Sequence, residues 1–148
     1  MLCLVDTNIL LRLSDKQHPL YVIVNNAVKQ LQRENYTLCI TAQNCAEFWN
    51  VATRPAKQNG FGLSISEAEL ALSTIEKVFG ILPDLPQSYT EWRRLVVQFK
   101  VIGVQVHDAR IVAAMRCHSV THILTMNSED FSRYELEGVI PINPLNLE

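Results

Sequence analysis

Long apolar runs, paired metal-binding cysteines and an excess of basic charge are all missing from this chain of 148 residues. Its apolar stretches are short and interrupted by charge, which excludes a hydrophobic membrane span. No basic segment followed by an apolar stretch opens the chain, so we expect no secretory signal and a cytoplasmic location. Cys3, Cys39, Cys45 and Cys117 form no C-x-x-C pair, and His18, His107, His118 and His122 form no H-E-x-x-H. Both absences speak against zinc and thioredoxin-like chemistry, although Cys117, His118 and His122 lie close together. In a cytosolic protein the four thiols are expected to be reduced and mostly buried. Gly60-Phe61-Gly62 lacks a third glycine and does not join a strand to a helix, so it is no dinucleotide-binding loop.

The net charge is −2, which excludes a simple basic nucleic-acid binder. A nuclease remains open, because divalent cations neutralise a local acidic cluster before phosphate arrives. The charge is uneven: Arg12, Lys16, Lys29, Arg33, Arg54 and Lys57 outnumber Asp6, Asp15, Glu34 and Glu47 in the first part of the chain.

What is present fits a globular protein. Hydrophobic content is 48% and mean hydropathy is +0.07, which argues against disorder. The length suits one domain over residues 1–148. Strand-like runs are Leu2–Val5, Thr37–Ile40, His122–Thr125 and Val139–Ile142. Between them the apolar period turns helical, as at Ile23, Ala27, Val28 and Leu31 between Leu20 and Arg33. Thr41 is placed to cap a helix through Ala52, which Arg54-Pro55 stops. Ser66-Glu67-Ala68-Glu69 and Ser88-Tyr89-Thr90-Glu91 read as capping boxes opening helices to about Phe79 and Phe99. His107 to Cys117 reads as a further helix, and Arg54 to Leu63 as an exposed loop. Strands separated by long helices imply crossovers and a buried parallel sheet.

Four acids stand out against that frame. Asp6 falls where the first strand ends, the place at which open parallel sheets set their ligand sites. It is equally placed to cap the helix that begins at Thr7. Asp108 shares its helix face with Ile111, Val112 and Met115, an apolar stripe where a carboxylate is costly unless ligated or paired. An acid in a first helical turn also favours the helix dipole by itself. Glu47 lies mid-helix, beside Asn50, Val51 and Arg54, and an ion pair with Arg54 is its plainer role. Asp130 follows the His122–Thr125 strand, where turn and capping acids are common.

Taken in order, the motifs Val5-Asp6-Thr7-Asn8, Ala46-Glu47-Phe48-Trp49 with Arg54-Pro55, His107-Asp108-Ala109-Arg110-Ile111, and a strand followed by Asn127-x-x-Asp130-Phe131 resemble PIN-domain ribonucleases. The similarity runs from residue 2 to about 142 and is greatest to the VapC-type toxins of bacterial toxin–antitoxin pairs. The resemblance implies an α/β fold, a PIN-like three-layer α/β/α sandwich with a central parallel sheet and its acids gathered at one sheet edge. Asp6, Glu47 and Asp108 match the family's three main acidic positions. Many members carry Asp where this chain has Asn127; others pair an Asn there with an acid near position 130, a pattern that Asp130 fits and that its neighbour Glu129 is also placed to serve.

The implied activity is hydrolysis of RNA phosphodiester bonds with Mg²⁺ or Mn²⁺, leaving a 5′-phosphate and a 3′-hydroxyl. Hard cations prefer oxygen ligands, and clustered carboxylates raise one another's pKa without a cation. On this reading Asp6 and Asp108 contact the metal directly or through water, and Glu47 and Asp130 orient water. Thr7, Asn8, Thr125 and Asn127 support the ligands with hydroxyl and amide groups. Arg54, Lys57 and Arg110 are candidate RNA phosphate contacts. Phe48, Trp49 and Phe61 either stack on bases or, for Phe48 and Trp49 the favoured role, pack the core. The resemblance further implies a homodimer and a cognate antitoxin that lays an Arg- or Lys-bearing peptide over the acidic pocket. Two readings compete. A PIN-like module that binds RNA or protein without cleaving draws support from Asn127. A receiver-like phosphotransferase does not, since Asn8 stands two residues after Asp6 where that chemistry wants an acid.

Overall fold

Leu2–Val5 forms β1 at the centre of a five-stranded, wholly parallel sheet ordered β3-β2-β1-β4-β5 in the computed structural model, which describes residues 1–147. The other strands are β2 (Thr37–Thr41), β3 (Gly80–Leu82), β4 (His122–Leu124) and β5 (Ile140–Ile142). Cys3 lies opposite Leu38 on one side and His122 on the other. Seven α-helices are described: α1 (Thr7–Leu13), α2 (Tyr21–Arg33), α3 (Ala42–Thr53), α4 (Ile65–Val78), α5 (Ser88–Gln98), α6 (Val106–Cys117) and α7 (Ser128–Ser132).

Alternation along the strands divides the core. Cys3, Val5, Leu38 and Ile40 face one layer with Ile9, Leu31, Phe48 and Ile75 from α1–α4. Leu4, Cys39 and Ile123 face the other with Leu95, Ile111, Met115 and Phe131 from α5–α7. This is the three-layer α/β/α sandwich expected. All four cysteines are free, and burial pushes the Cys3 and Cys39 thiols up to about 12 and about 11, so both are inert packing groups. Among the described residues no helix is long and apolar enough to cross a membrane.

Thr41 caps α3 as expected, accepting from the Asn44 amide. The other two capping boxes need correction. The frame that opens α4 is Ser64-x-x-Glu67, two residues earlier: Ser64 Oγ accepts from Glu67 N at 3.1 Å and Glu67 Oε1 from Ser64 N at 3.0 Å. Two overlapping Ser-x-x-Glu frames compete here, and the earlier one starts the helix as soon as Leu63 has paired back to Ala52. At α5, Ser88 makes no cap, because Arg94 and Arg116 take the Glu91 carboxylate instead. The three-residue strand β3 was not expected from the sequence; its only apolar side chains beyond Gly80 are Ile81 and Leu82.

The loop after α3 is not simply exposed. Arg54 turns extended before Pro55, and Phe61 N and Leu63 N donate to Val51 O and Ala52 O, folding the loop against the helix. Gly60 makes this possible, since a Cβ there would lie 1.9 Å from the Arg54 carbonyl oxygen.

Candidate active site

The chain runs outward from β1 to β2 and β3, then returns past β1 to place β4 and β5 on the other side. The strand order therefore reverses between β1 and β4, and open α/β sheets bind ligands at the carboxyl ends of the strands beside such a reversal. Asp6 stands there. Its amide donates to Leu124 O, the last residue of β4, at 2.9 Å.

Asp6 is 9% exposed and fills the capping role that the sequence offered. Oδ1 accepts from Thr7 N at 2.8 Å, capping α1, while Oδ2 accepts from Thr125 Oγ1 at 2.7 Å and from Asn8 Nδ2 at 3.2 Å. Asn8 Oδ1 in turn accepts from Met126 N, and Thr125 Oγ1 accepts from Asn127 N. The turns after β1 and β4 are thus pinned to each other. The Asn127 side chain makes no cap for α7.

Glu47 comes to the site from α3. It forms no pair with Arg54; its Oε1 accepts from Gln43 Nε2 at 3.0 Å, and the same amide donates to His107 O at 2.9 Å. Gln43 thereby joins α3 to the start of α6. Asp108 occupies the first turn of α6, half-buried, above Ile111, Val112 and Met115, all of which are buried as expected. With Glu129, Asp130 and Tyr134 it lines a cavity of about 220 Å³ into which no hydrogen bond from the buried Tyr134 hydroxyl is made.

Electrostatics tie the four acids together. Burial pushes the Asp6 carboxyl up, its three hydrogen bonds oppose this, and the Asp130 charge adds to the rise. Burial also raises Glu47; Gln43 lowers it, the Asp6 charge raises it, and His107 and Arg110 lower it. Asp108 is pushed up to about 7, first by burial and then by the charges of Asp6, Asp130 and Glu47. Asp130, rather than Glu129, is the residue of that segment whose charge reaches Asp6 and Asp108.

Among the described residues the ion pairs join Arg94 and Arg116 to Glu91 and Glu137, on α5, α6 and the turn at 135–137, and none includes these four acids. Nor do three acid, histidine or cysteine side chains converge into a closed metal cage there. The donors present are all carboxylate oxygens, the type that a hard Mg²⁺-like ion takes, one or two at a time with several waters.

The basic and aromatic candidates divide. The Arg110 charge reaches Glu47. Arg54 does not: it ends α3, seven residues and about 10 Å along the axis from Glu47, and its Nη2 donates to Asn59 O. Lys57 is exposed in the turn beyond it. Phe48 is fully buried and has no face free to stack on a base, and Trp49 and Phe61 pack, partly buried, against the same core cluster. The sequence reading missed Gln43 and Asn44. Asn44 is fully buried; its Nδ2 donates to Thr7 Oγ1 at 3.1 Å, and its Oδ1 accepts from Thr41 N at 2.9 Å. The Thr41-x-x-Asn44 spacing was the available signal, an amide variant of the capping box.

The family model of the PIN domain matches residues 3–136. The chain belongs to the PIN-domain family. Among curated proteins none matches it. Of solved structures, this PIN domain is similar to VapBC-1 from nontypeable Haemophilus influenzae, with a TM-score of 0.72, 16% identity, and 99% and 100% of the two chains covered. It is also similar to VapBC2 from Rickettsia felis bound to a DNA fragment from its promoter (TM-score 0.67, 19% identity, 97% and 98% covered). A third is VapC20 of Mycobacterium tuberculosis, described as a sarcin–ricin loop cleaving toxin (TM-score 0.61, 14% identity, 95% and 97% covered). At these identities the likeness speaks for the fold, which extends over nearly the whole chain.

Proposed function

We propose that this PIN domain is a divalent-metal-dependent endoribonuclease and the toxin of a toxin–antitoxin pair. The observation that carries the reading is the set of four mutually repelling, unpaired carboxylates, Asp6, Glu47, Asp108 and Asp130, at the β1/β4 reversal. The similar chains from VapBC complexes, and from a toxin that cleaves the sarcin–ricin loop, support the RNA substrate and the antitoxin partner.

When bound, Mg²⁺ or Mn²⁺ supplies Lewis-acid activation of the phosphate and a more acidic water. Asp6 and Asp108 are the residues to hold it. Asp6 is pre-oriented by Thr125, Asn8 and the Thr7 amide, which spares reorganisation on binding. Glu47 and Asp130 orient the attacking water and accept its proton. The water oxygen adds to phosphorus, the bond from phosphorus to the 3′-oxygen breaks, that oxygen takes a proton from solvent water, and the products carry a 5′-phosphate and a 3′-hydroxyl. Arg110 holds a neighbouring phosphate. The working form is a homodimer in the cytoplasm, silenced when a basic side chain of the antitoxin occupies the acidic pocket.

The test is cleavage of end-labelled single-stranded RNA by purified protein with Mg²⁺, Mn²⁺ or EDTA. Cleavage with either metal, none in EDTA, and loss of at least about a hundredfold in Asp6→Asn are expected. Equal cleavage by Asp6→Asn refutes the reading. Asn127 and the open donor set favour one second reading, a PIN domain that binds RNA without cleaving it, for which wild-type protein retains RNA on a filter and leaves it intact.

A further inference from the structure

Beside the acids, at the carboxyl ends of β2 and β3, lies a cavity of about 420 Å³, within the usual range of about 300–1,000 Å³ for small-molecule sites. Gln43 is the wall it shares with the acidic site: one side chain lines the cavity and hydrogen-bonds Glu47. Arg110, whose charge reaches Glu47, lines it as well. Part of the lining is aromatic. Tyr89 and Trp92 on α5 have ring centroids 6.0 Å apart at 35°, and Trp92 is fixed by donation from Nε1 to Val106 O at 2.9 Å. Tyr89 is 66% exposed, an unusual place for a large ring with no core to fill. Asp84 and Ser88 also line it, and the exposed Asp84 carboxylate has no hydrogen-bond or ion-pair partner among the described residues.

Two neighbouring aromatic rings, a cation and an unpaired acceptor in one lining are the groups that take a nucleobase, its phosphate and its amino edge. We infer that this cavity is a nucleotide subsite next to the acidic centre: a base lies against Tyr89 and Trp92, its phosphate meets Arg110, and Asp84 accepts from an exocyclic amine. The subsite prefers cytosine over uracil, whose edge offers a carbonyl where cytosine has an amine. The inference rests on the nuclease reading for which polymer enters, and on the cavity alone for where one base sits.

The experiment is an NMR titration of the full-length protein with 5′-CMP, 5′-UMP and inorganic phosphate. The only indole N–H signals come from Trp49 and Trp92, and they serve as control and reporter. Mononucleotides contain no phosphodiester bond, so binding is read independently of cleavage. 5′-CMP is expected to shift the Trp92 signal and not that of Trp49. Tyr89→Ala, at an exposed position, weakens binding roughly tenfold, as loss of one base stack requires, and Arg110→Gln weakens it as well. 5′-UMP binds several-fold more weakly than 5′-CMP, and Asp84→Asn removes that difference. An unmoved Trp92 signal, an equal shift with phosphate alone, or unchanged affinity in Tyr89→Ala overturns the subsite. Equal binding of the two nucleotides overturns the role of Asp84. A Trp92 signal that answers N-acetyltryptophanamide and not 5′-CMP makes the cavity a protein-side-chain site and also overturns it. RNA cleavage with a silent Trp92 refutes the subsite alone; a responsive Trp92 in a protein that cleaves no RNA refutes the nuclease alone.

Discussion

Asn44 Nδ2 donates to Thr7 Oγ1 across 3.1 Å, joining the capping turn of α3 to the turn that carries Asp6. Asn44 is fully buried, so each of its bonds is made without competition from water. Asn44→Ala removes half of the capping box and leaves the Thr7 hydroxyl and the Thr41 amide short of a partner. A loss of about 2 kcal/mol is expected, measurable by urea denaturation. RNA cleavage should fall as well, because Asp6 loses a fixed support; unchanged stability would contradict the buried bridge.

Thr125→Val keeps the shape of a fully buried side chain and deletes the hydroxyl that donates to Asp6 Oδ2 at 2.7 Å. That bond lowers the Asp6 carboxyl, so its loss drives the carboxyl still higher. The expected outcome is a loss of about 1–2 kcal/mol in metal-free stability, together with weaker Mg²⁺ affinity in calorimetry.

The raised Asp108 carboxyl has a definite pH signature. Its folded value, about 7, lies above the ordinary aspartate value of 3.8, so the folded protein binds the proton more tightly than the unfolded chain does. The metal-free protein is therefore most stabilised by this group below about pH 4, loses that contribution as pH rises, and has lost it above about pH 7. Asp108→Asn should raise the melting temperature at pH 8 and change it little at pH 4. Added Mg²⁺ should stabilise the wild type more at pH 8 than at pH 5, because protons and the cation compete for the same oxygens. Thermal scans of both proteins at these pH values, with and without Mg²⁺, make the comparison. A larger effect of the substitution at pH 4 would contradict the assignment.

Gly60→Ala places a methyl carbon against the Arg54 carbonyl, a contact that only a shift of the loop relieves. A cost of about 1–3 kcal/mol is expected in thermal denaturation. Glu47 lies about 10 Å back along α3 from Arg54 and the other three acids lie on other segments, so cleavage at a temperature well below melting should stay near wild type.

The order of strands and long helices was legible because each long element carries its own period: Ile23, Ala27, Val28 and Leu31 mark α2, and Leu2–Val5 mark β1. β3 was not, because three residues hold no period and its pairing to β2 is set by tertiary contact. Asp6, Glu47, Asp108 and Asp130 each had a plainer role available in the sequence; their ordered motifs already grouped them, and the fold shows which charges reach which carboxyl. Gln43 and Asn44 escaped notice because uncharged amides on a helix carry no pattern until their partners, His107 O and Thr7 Oγ1, arrive from distant segments. Arg54 misled for the converse reason: a cation near an acid in sequence points along a different part of the helix and bonds the Asn59 carbonyl.

The bond between Thr125 and Asp6 spans 119 positions of sequence, and that distance has a meaning during synthesis. The first acid leaves the ribosome early, with only its local bonds from Thr7 and Asn8 to order it until β4 pairs with β1. A growing chain that has not released β4 holds Asp6 on a loose turn and keeps Asp108 and Asp130 away from it. The assembled set of four acids therefore exists only once almost the whole chain has been translated.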